Sequence, residues 1–259
     1  MVHSIGVFGR GRLGSLIAET VEASPHLTCA WVLGRGGAPS ERVDVAIDVS
    51  HRDAVGAHVA WADESETDLV IGATGWPAEV LRDSGRHSGV LIAPNFSLSM
   101  ALMHRIARVL GGYSHLLPGQ VDLAVTETHH RGKVDAPSGS AALLTDAVAQ
   151  GAGLRASDIP TSSLRMGSVI GRHEVRLEAD GESMTLSHEA HSRNVFAAGA
   201  IAAACWVNGR RGVYTVDDWA ADQLDSLFAT PPGNSGALAT HPNDTSTSNP
   251  APHALPTLQ

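Results

Sequence analysis

Short runs of apolar residues, each ending at small or polar residues, recur through the first part of the chain. They lie at residues 5–8, 27–33, 44–49, 69–71 and 90–93. Between most of these runs apolar residues return at the spacing of a helix face, as Leu13, Ile17 and Val21 do. Strands that alternate with helices predict an α/β unit whose parallel sheet is covered on both faces. Ligands of such sheets bind beyond the carboxyl ends of the strands.

The pattern changes after residue 98, where charged residues begin to alternate with apolar or small ones. The predicted helices cover residues 99–110, 140 to about 149, and 196–207, and the predicted strands cover residues 121–126, 162–169, 174–179 and 184–188. Alternation of this kind is typical of a sheet with one solvated face. The second unit is therefore predicted to be α+β with a mixed or antiparallel sheet, and its last, small-residue helix is predicted to be buried.

These two patterns predict two domains followed by a tail. Residues 1–98 and about 209–230 form the first domain, and residues 99–208 form the second. Residues 231–259 hold six of the 13 prolines, no aromatic residue and one acid, Asp244. Such a segment cannot bury enough apolar surface to fold, so we predict a disordered tail with no catalytic role.

Composition narrows the classes of partner. The formal net charge of −9 argues against nucleic acid as the main partner. Cys29 and Cys205 both lie in apolar segments, so they are predicted to be buried free thiols rather than a disulfide or a zinc site. No signal peptide precedes the first strand, and the longest apolar run is shorter than the roughly 20 residues that span a bilayer. We therefore predict a cytoplasmic protein that does not bind membranes.

A glycine-rich turn follows the first predicted strand and opens the first predicted helix. Gly9, Gly11 and Gly14 match the Gly-x-Gly-x-x-Gly spacing in the context that a dinucleotide site requires. These glycines allow the tight turn, the approach of a pyrophosphate and the packing of helix on strand. The first sheet is thus predicted to be of Rossmann type. Its cofactor site is predicted to include Gly9, Arg10, Gly11, Arg12, Leu13 and Gly14.

The end of the second predicted strand bears on which dinucleotide binds. Folds that bind NAD usually place an acid there for the ribose 2′-hydroxyl. This chain has Gly34 and Arg35 instead, and no acid occurs before Glu41. Arg35, helped by Arg10 or Arg12, is suited to a 2′-phosphate. The sequence therefore predicts NADPH as the preferred cofactor, with NADH as the weaker alternative.

The segment from Glu127 to Ser140 concentrates reactive residue types. It holds His129, His130, Arg131 and Lys133, followed by a Pro-Ser-Gly turn and an apolar helix. Cations beside a helix N-terminus favour a small carboxylate, because the free backbone N–H groups and the helix dipole attract negative charge. A histidine in the same segment can transfer a proton near neutral pH. The alternative is a solvated polar loop with no chemical role.

This segment resembles the signature of the dihydrodipicolinate reductase family. The resemblance rests on Glu127-Thr128-His129-His130 and on Lys133-Val134-Asp135-Ala136-Pro137-Ser138-Gly139-Ser140. Weaker markers stand in the family's order, and the resemblance runs from about residue 5 to residue 219. These markers are Asp48-Val49-Ser50, Gly72-Ala73-Thr74-Gly75, Pro94-Asn95-Phe96-Ser97, Gly171-Arg172-His173-Glu174-Val175 and the segment from His188 to Ala200.

The resemblance implies an NAD(P)H-dependent oxidoreductase of the diaminopimelate route to lysine. Such an enzyme reduces 4-hydroxy-tetrahydrodipicolinate or dihydrodipicolinate, a cyclic dicarboxylate imine, to tetrahydrodipicolinate. His129 matches the family's proton donor, which makes it, together with Lys133, the implied catalytic pair. His130 and Lys133 match the contacts to one carboxylate, and Gly139 and Ser140 match the groups that hold the other.

The resemblance also implies cofactor contacts and an assembly. Residues that fall where the family meets its dinucleotide are Gly9, Gly14, Arg35, Gly72, Thr74 and Asn95, with Phe96 beside them. Family members are usually tetramers joined through the second domain's sheet, so a homotetramer is expected. The chain departs from the pattern in a glycine loop that is one residue shorter, in Ser140 for a commoner threonine and in Gly34 for an acid.

Other functions stay open at this point. The chain could reduce a different cyclic imine in a specialised pathway, or bind NADPH as a sensor without catalysis. A zinc hydrolase is disfavoured because His188 and His191 are three residues apart at the end of a predicted strand, where their rings point to opposite faces. A serine hydrolase would need a Gly-x-Ser-x-Gly elbow, which the sequence lacks. We therefore predict no metal site.

Overall fold

A computed structural model describes residues 2–82 and 87–228. In chain order its strands and helices are β1 (Ser4–Phe8), α1 (Arg12–Glu22), β2 (Thr28–Leu33), β3 (Val45–Asp48), α2 (Val55–Glu64), β4 (Asp68–Ile71), β5 (Gly89–Ile92), α3 (Leu98–Tyr113), β6 (Val121–His129), α4 (Gly139–Gly151), β7 (Thr161–Arg165), β8 (Gly171–Ala179), β9 (Glu182–Ala190), α5 (Asn194–Val207), β10 (Gly212–Thr215) and α6 (Val216–Phe228). The predicted tail, residues 231–259, lies outside the described residues.

The first sheet has six strands in the order β10-β5-β4-β3-β1-β2, and every neighbouring pair is parallel. All residues of β3 and β4 are buried, as expected for strands covered on both faces. The five predicted strands and the α/β class are confirmed. The sixth, β10, pairs with β5 at the sheet edge, and its alternately half-buried residues gave no apolar run to detect.

Helices cover both faces of this sheet. Val55 and Val59 of α2 pack with Leu69 and other residues on one face. On the opposite face, α1 and α5 share one apolar core with β1 and β3. The predicted domain boundaries placed residues 194–207 in the second domain, but α5 packs on the first sheet. Its alanines, which have no bulky side chain, let the helix lie close to the strands, and Ala200 is fully buried.

The second sheet has four strands in the order β7-β6-β8-β9. β7 pairs with β6 in parallel, while β6-β8 and β8-β9 are antiparallel, so the predicted mixed sheet is confirmed. Helices α3 and α4 pack on one face over a separate apolar core. The strand predicted at 162–169 ends at Arg165, because the chain turns at Gly167, where φ is +54°.

Two further predictions need correction. Strand β6 continues to His129, so the segment predicted as a reactive loop begins inside a strand. Cys205 is exposed and Cys29 is only half-buried, so the prediction of two buried thiols was wrong, although both are free. Cys205 lies on the outer side of α5, whose alanines make the contacts with the sheet. In the part of the chain that the structure describes, no helix combines the length and apolar character of a membrane span.

Candidate active site

A cleft of about 550 Å³ lies at the carboxyl ends of β1, β2 and β3. Its lining includes Gly9, Arg10, Gly11, Arg35 and His51. Gly9 has φ +118°, and a Cβ there would lie 2.6 Å from the carbonyl oxygen of Val49. Only glycine adopts that conformation without strain, so the turn that opens the cleft depends on Gly9.

The two other glycines of the motif have different surroundings. A Cβ on Gly14 would lie 1.8 Å from the carbonyl oxygen of Gly9, so α1 approaches the turn as closely as backbone permits. A Cβ on Gly11 would meet no atom within 4 Å. Gly11 therefore borders open space at the N-terminus of α1, where unpaired backbone N–H groups favour a phosphate.

Arg10 and Arg35 lie together at one end of this cleft. Both side chains are exposed, and a Cβ on Gly34 would lie 3.5 Å from Cδ of Arg10. The stem of Arg10 therefore passes over Gly34. The pair forms a positively charged rim without a carboxylate at residues 33–37.

A second cleft of about 410 Å³ adjoins the first and shares Val49, Ser50 and His51 with it. Leu13, Gly72 and Thr74, three of the predicted cofactor residues, line it. The other predicted cofactor residues lie elsewhere. Arg12 lines neither cleft, Gly14 packs beneath the turn, Phe96 is buried with its ring against Gly72, and Asn95 lies toward α4.

Strand β6 presents Glu127 and His129 on its buried face, because residues two apart in a strand share a face. Glu127 is 1% exposed and His129 is 8% exposed. The Oε2 atom of Glu127 is hydrogen-bonded to Nδ1 of His129. This contact turns the opposite ring nitrogen, Nε2, away from the carboxylate.

The Glu127 carboxylate has a second set of partners on its other oxygen. Nη2 of Arg165 donates to Oε1 at 2.9 Å, and the backbone N–H of Ser138 donates to the same oxygen at 3.3 Å. Burial by itself would raise the pKa of Glu127, but hydrogen bonds from Arg165, Ser163 and His129 lower it to about 2. Glu127 is therefore ionised at neutral pH and can only accept, so Nδ1 of His129 carries the hydrogen.

His129 lies among groups that disfavour its charged form. Burial is the main reason that its pKa lies below the ordinary value, and the cations Lys133 and Arg165 lower it further, while Glu127 acts in the opposite sense. The ring of His173 lies 5.1 Å from that of His129, edge to face. Burial lowers the pKa of His173 to about 4, so its ring is neutral near pH 7.

The loop after β6 carries Lys133, which pairs with Asp135 at 2.9 Å. Arg165 ties this loop to the sheet, since its guanidinium donates to the carbonyl oxygens of Lys133 at 3.3 Å and Asp135 at 2.5 Å. His130, half-buried, follows β6 directly and lies beside Gly132. The loop thus holds the Lys133 cation next to His129. The carboxylate of Asp135 contacts Lys133, and an anionic ligand can displace it.

Helix α4 begins at the same place. The hydroxyl of Ser138 caps the helix by accepting from the N–H of Ala141 at 3.2 Å, and it contacts Nε2 of His173 at 3.3 Å. A Cβ on Gly139 would meet no atom within 4 Å, so the first turn borders open space. Nδ2 of Asn95 donates to the hydroxyl of Ser140 at 2.9 Å, which joins a predicted cofactor residue to a predicted substrate residue.

These parts allow acid–base chemistry next to an anion site. A Cβ on Gly171 would lie 3.0 Å from Nε2 of His129, so glycine at this position avoids crowding that nitrogen. Among the described residues, Glu127, His129 and His173 place potential ligand atoms within 4.8 Å of one another, a spacing that suits a metal ion. Both oxygens of Glu127 already accept hydrogen bonds, so we assign no metal to these residues.

Sequence reasoning missed the partners behind His129. Arg165 and His173 were included only as parts of a predicted strand and of a weak marker, and Glu127 only as part of the signature. The period of two in β6 indicates that Glu127 faces the same way as His129, so alternation could have found that contact. Nothing local in the sequence indicates that Arg165 and His173 pack against the same pair.

Known proteins are similar to this chain in sequence. Family models for the N-terminus and the C-terminus of dihydrodipicolinate reductase match residues 3–96 and 96–219. The chain is 38% identical over 244 residues to 4-hydroxy-tetrahydrodipicolinate reductase of Gluconobacter oxydans, covering 83% of this chain and 95% of the relative. It is 36% identical to the enzyme of that name from Akkermansia muciniphila, covering 80% and 93%.

A solved structure is similar in fold. It is a dihydrodipicolinate reductase from Paenisporosarcina sp. TG-14 with dipicolinate bound, which matches with a TM-score of 0.71 at 22% identity and covers 84% of this chain and 99% of that one. The two family models together account for nearly all of the described chain. The chain belongs to the dihydrodipicolinate reductase family.

Proposed function

We propose that this protein is an NADPH-dependent reductase of the cyclic imine 4-hydroxy-tetrahydrodipicolinate, or its dehydrated form, and yields tetrahydrodipicolinate on the diaminopimelate route to lysine. One observation carries the proposal. His129, bonded to ionised Glu127, lies beside Lys133 and the open N-terminus of α4. A proton donor next to two anion sites suits a ring that carries two carboxylates and must accept a proton.

The two anion sites lie on different elements. Lys133 and His130 belong to the loop after β6, while Gly139 and Ser140 form the first turn of α4. One substrate carboxylate would pair with Lys133 in place of Asp135, and the other would accept backbone N–H groups of the helix end. Gly139 leaves room for that approach, and the Ser140 hydroxyl adds a polar contact.

The proton step follows from the state of His129. A bound dinucleotide would supply a hydride to the substrate ring, which leaves carbanion or enamine character on the neighbouring carbon. His129 then donates a proton from Nε2, the nitrogen that Glu127 and Gly171 leave free. Two substrate carboxylates near the imidazole of His129 raise the proton affinity of that side chain, because opposite charge favours the imidazolium. Substrate binding thus favours the protonated form of His129, which is the acid that the reaction needs.

NADPH is the proposed preferred cofactor. Arg10 and Arg35 form a positive rim on the first cleft, and Gly34 provides no carboxylate for a ribose 2′-hydroxyl. A guanidinium pair suits the 2′-phosphate that distinguishes NADPH from NADH. The other cleft residues, such as Gly11 and Thr74, serve both dinucleotides.

We also propose a cytoplasmic homotetramer, as is usual in the family, joined through the outer face of the second sheet. Among the described residues, no helix packs on that face. It carries the ion pairs Arg172–Glu174 and Arg176–Glu178, with an exposed Leu164 on β7.

The first test is turnover. NADPH oxidation is followed at the nicotinamide absorbance, with the cyclic imine made in situ from pyruvate and aspartate semialdehyde by a partner synthase. We expect rapid oxidation that His129→Gln lowers by about 10²–10⁴ in kcat with little change in KM, the usual contribution of general acid catalysis.

Two outcomes would count against the proposal. An unchanged kcat in His129→Gln would remove His129 as the proton donor. If the protein binds NADPH tightly but does not turn over this imine, the proposed cofactor site stands and the proposed substrate is wrong. The substrate would then be a different cyclic imine.

A further inference from the structure

Beside His129 lies an ion pair that the proposed chemistry does not use directly. Glu127 on β6 and Arg165 on β7 meet at 2.9 Å, and their side chains are 0% and 19% exposed. We infer that this pair adjusts the proton affinity of His129, in addition to the effect of burial, with Glu127 raising it and Arg165 lowering it. The inference rests on the proposed function only in assuming that the proton of His129 is the one transferred.

The two oxygens of the Glu127 carboxylate have different partners. Oε2 of Glu127 contacts Nδ1 of His129, while Oε1 accepts from Arg165 and from the backbone of Ser138. The negative charge that could stabilise an imidazolium is therefore shared with a guanidinium that is always charged. Glu127 is a positioning residue in this scheme, because it holds the ring and its tautomer without touching the substrate.

The groups that face His129 come from every neighbouring element. Lys133, paired with Asp135, and His130 lie in the loop after β6. Arg165 lies on β7, and His173 lies on β8, where His188 of β9 is its partner across the strands.

Two of these groups are uncharged near pH 7, and a third already has a partner of opposite charge. Burial lowers the pKa of His173 and that of His188, and the nearby His191 lowers the pKa of His188 further. Both rings are therefore neutral near pH 7. Lys133 already has a counterion, Asp135. Burial acts to raise the pKa of Asp135, but the hydrogen bond and charge of Lys133, together with the charge of Arg165, lower it. The adjustable charges behind the ring are thus those of Glu127 and Arg165.

Opposite signs give the inference a sharp test. Removing the charge of Glu127 leaves Arg165 unopposed, so protonation of His129 becomes harder and its titration moves to lower pH. Removing the charge of Arg165 means that Glu127 no longer shares its negative charge with a guanidinium, so the titration of His129 moves to higher pH. A purely structural role would move both variants in the same direction or leave both titrations in place.

The experiment follows the imidazole signals of the full chain by NMR between pH 4 and 9 without substrate. The signal absent in His129→Gln identifies His129 among the 14 histidines. We expect Glu127→Gln to lower its titration midpoint by about one pH unit and Arg165→Gln to raise it by about as much, since a charge within 4–6 Å shifts a pKa on that scale. Arg165→Lys, which keeps the charge, is the matched control and should stay near the wild-type midpoint.

A double variant guards against misfolding. Glu127→Gln leaves a partly buried guanidinium without its carboxylate, whereas Glu127→Gln with Arg165→Gln leaves two neutral amides that can bond to each other. We expect the double variant to titrate between the two single variants. Equal NADPH affinity in all variants would show that the first sheet is intact.

The outcomes separate this inference from the proposed function. Midpoints that move in the same direction, or that do not move, overturn the role of the pair whatever the enzyme reduces. Midpoints that move oppositely support it. The pH dependence of turnover is the second readout, and the limb on which kcat falls with rising pH should move in the same direction as each midpoint. Wild-type protein that fails to turn over the imine overturns the proposed substrate and leaves the titration result standing.

Discussion

The functional surfaces of the two sheets are formed by different parts of the chain, backbone in the first and side chains in the second. On the first sheet, backbone shapes the cleft, because Gly9 and Gly14 let a strand, a turn and a helix approach within contact distance. On the second sheet, ionisable side chains at or near the buried face form the site, with Glu127, His129 and Arg165 in one network. The first surface is sensitive to added atoms, whereas the second is sensitive to lost charge.

The largest expected effect tests the steric half of this comparison. Gly14→Ala places a Cβ 1.8 Å from the carbonyl oxygen of Gly9, so α1 must move away from the turn. We expect a loss of about 3 kcal/mol in the free energy of unfolding, measured in urea, together with loss of NADPH binding.

Gly11→Ala is the matched control, because its Cβ would meet no atom within 4 Å. Its stability should stay within about 0.5 kcal/mol of wild type, while its NADPH affinity falls because the new methyl group occupies the approach to the helix end. Equal destabilisation of both variants would show that close packing at Gly14 is not what fixes the cleft.

The next effect tests the electrostatic half through acid stability. The pKa of Glu127 is lowered from 4.5 to about 2, so the folded state gains stability from its ionised form above pH 4.5 and loses that gain as the pH falls toward 2. A shift of this size corresponds to about 3 kcal/mol at most.

Urea unfolding at pH 7 and pH 3 should show a smaller difference for Glu127→Gln than for wild type. A difference equal to that of wild type would mean that other carboxylates, such as Asp135, account for the acid sensitivity of the fold.

A smaller effect separates binding from protonation within the second site. Lys133→Ala removes a charged partner of one substrate carboxylate, which is worth about 1.5–3 kcal/mol, so KM should rise roughly 10- to 100-fold with a lesser change in kcat. Arg131→Ala, which removes an exposed cation two residues away, should leave KM near wild type. A normal KM in Lys133→Ala would remove Lys133 from the carboxylate site.

The smallest effect concerns the rim of the first cleft. Arg35→Ala should reduce kcat/KM with NADPH about tenfold and change it little with NADH, because an exposed guanidinium contributes modestly to a phosphate contact. NADH serves as the internal control in the same protein. A parallel loss with both dinucleotides would show that Arg35 supports the loop rather than reading the 2′-phosphate.

The sequence predicted best what is encoded within a few neighbouring residues. The glycine spacing, the five predicted strands of the first sheet and the signature around His129 are local patterns, and the fold class and family follow from them. The placement of α5 failed because its alanines are compatible with burial against either sheet. Arg165 escaped notice because it reaches Glu127 from 38 residues away along the chain. Long-range pairs of this kind depend on register, which a single sequence does not show.

One feature of the fold affects how the chain is made. Strand β10 completes the first sheet by pairing Gly212 with Gly89, roughly 120 residues earlier. During synthesis, β5 therefore emerges with an open edge that stays unpaired until the whole second sheet has been translated. Closing so long a loop is slow, so the nucleotide-binding half should mature last although it is encoded first. A chain that stops before residue 212 would keep every glycine of its motif and still expose an edge that invites aggregation.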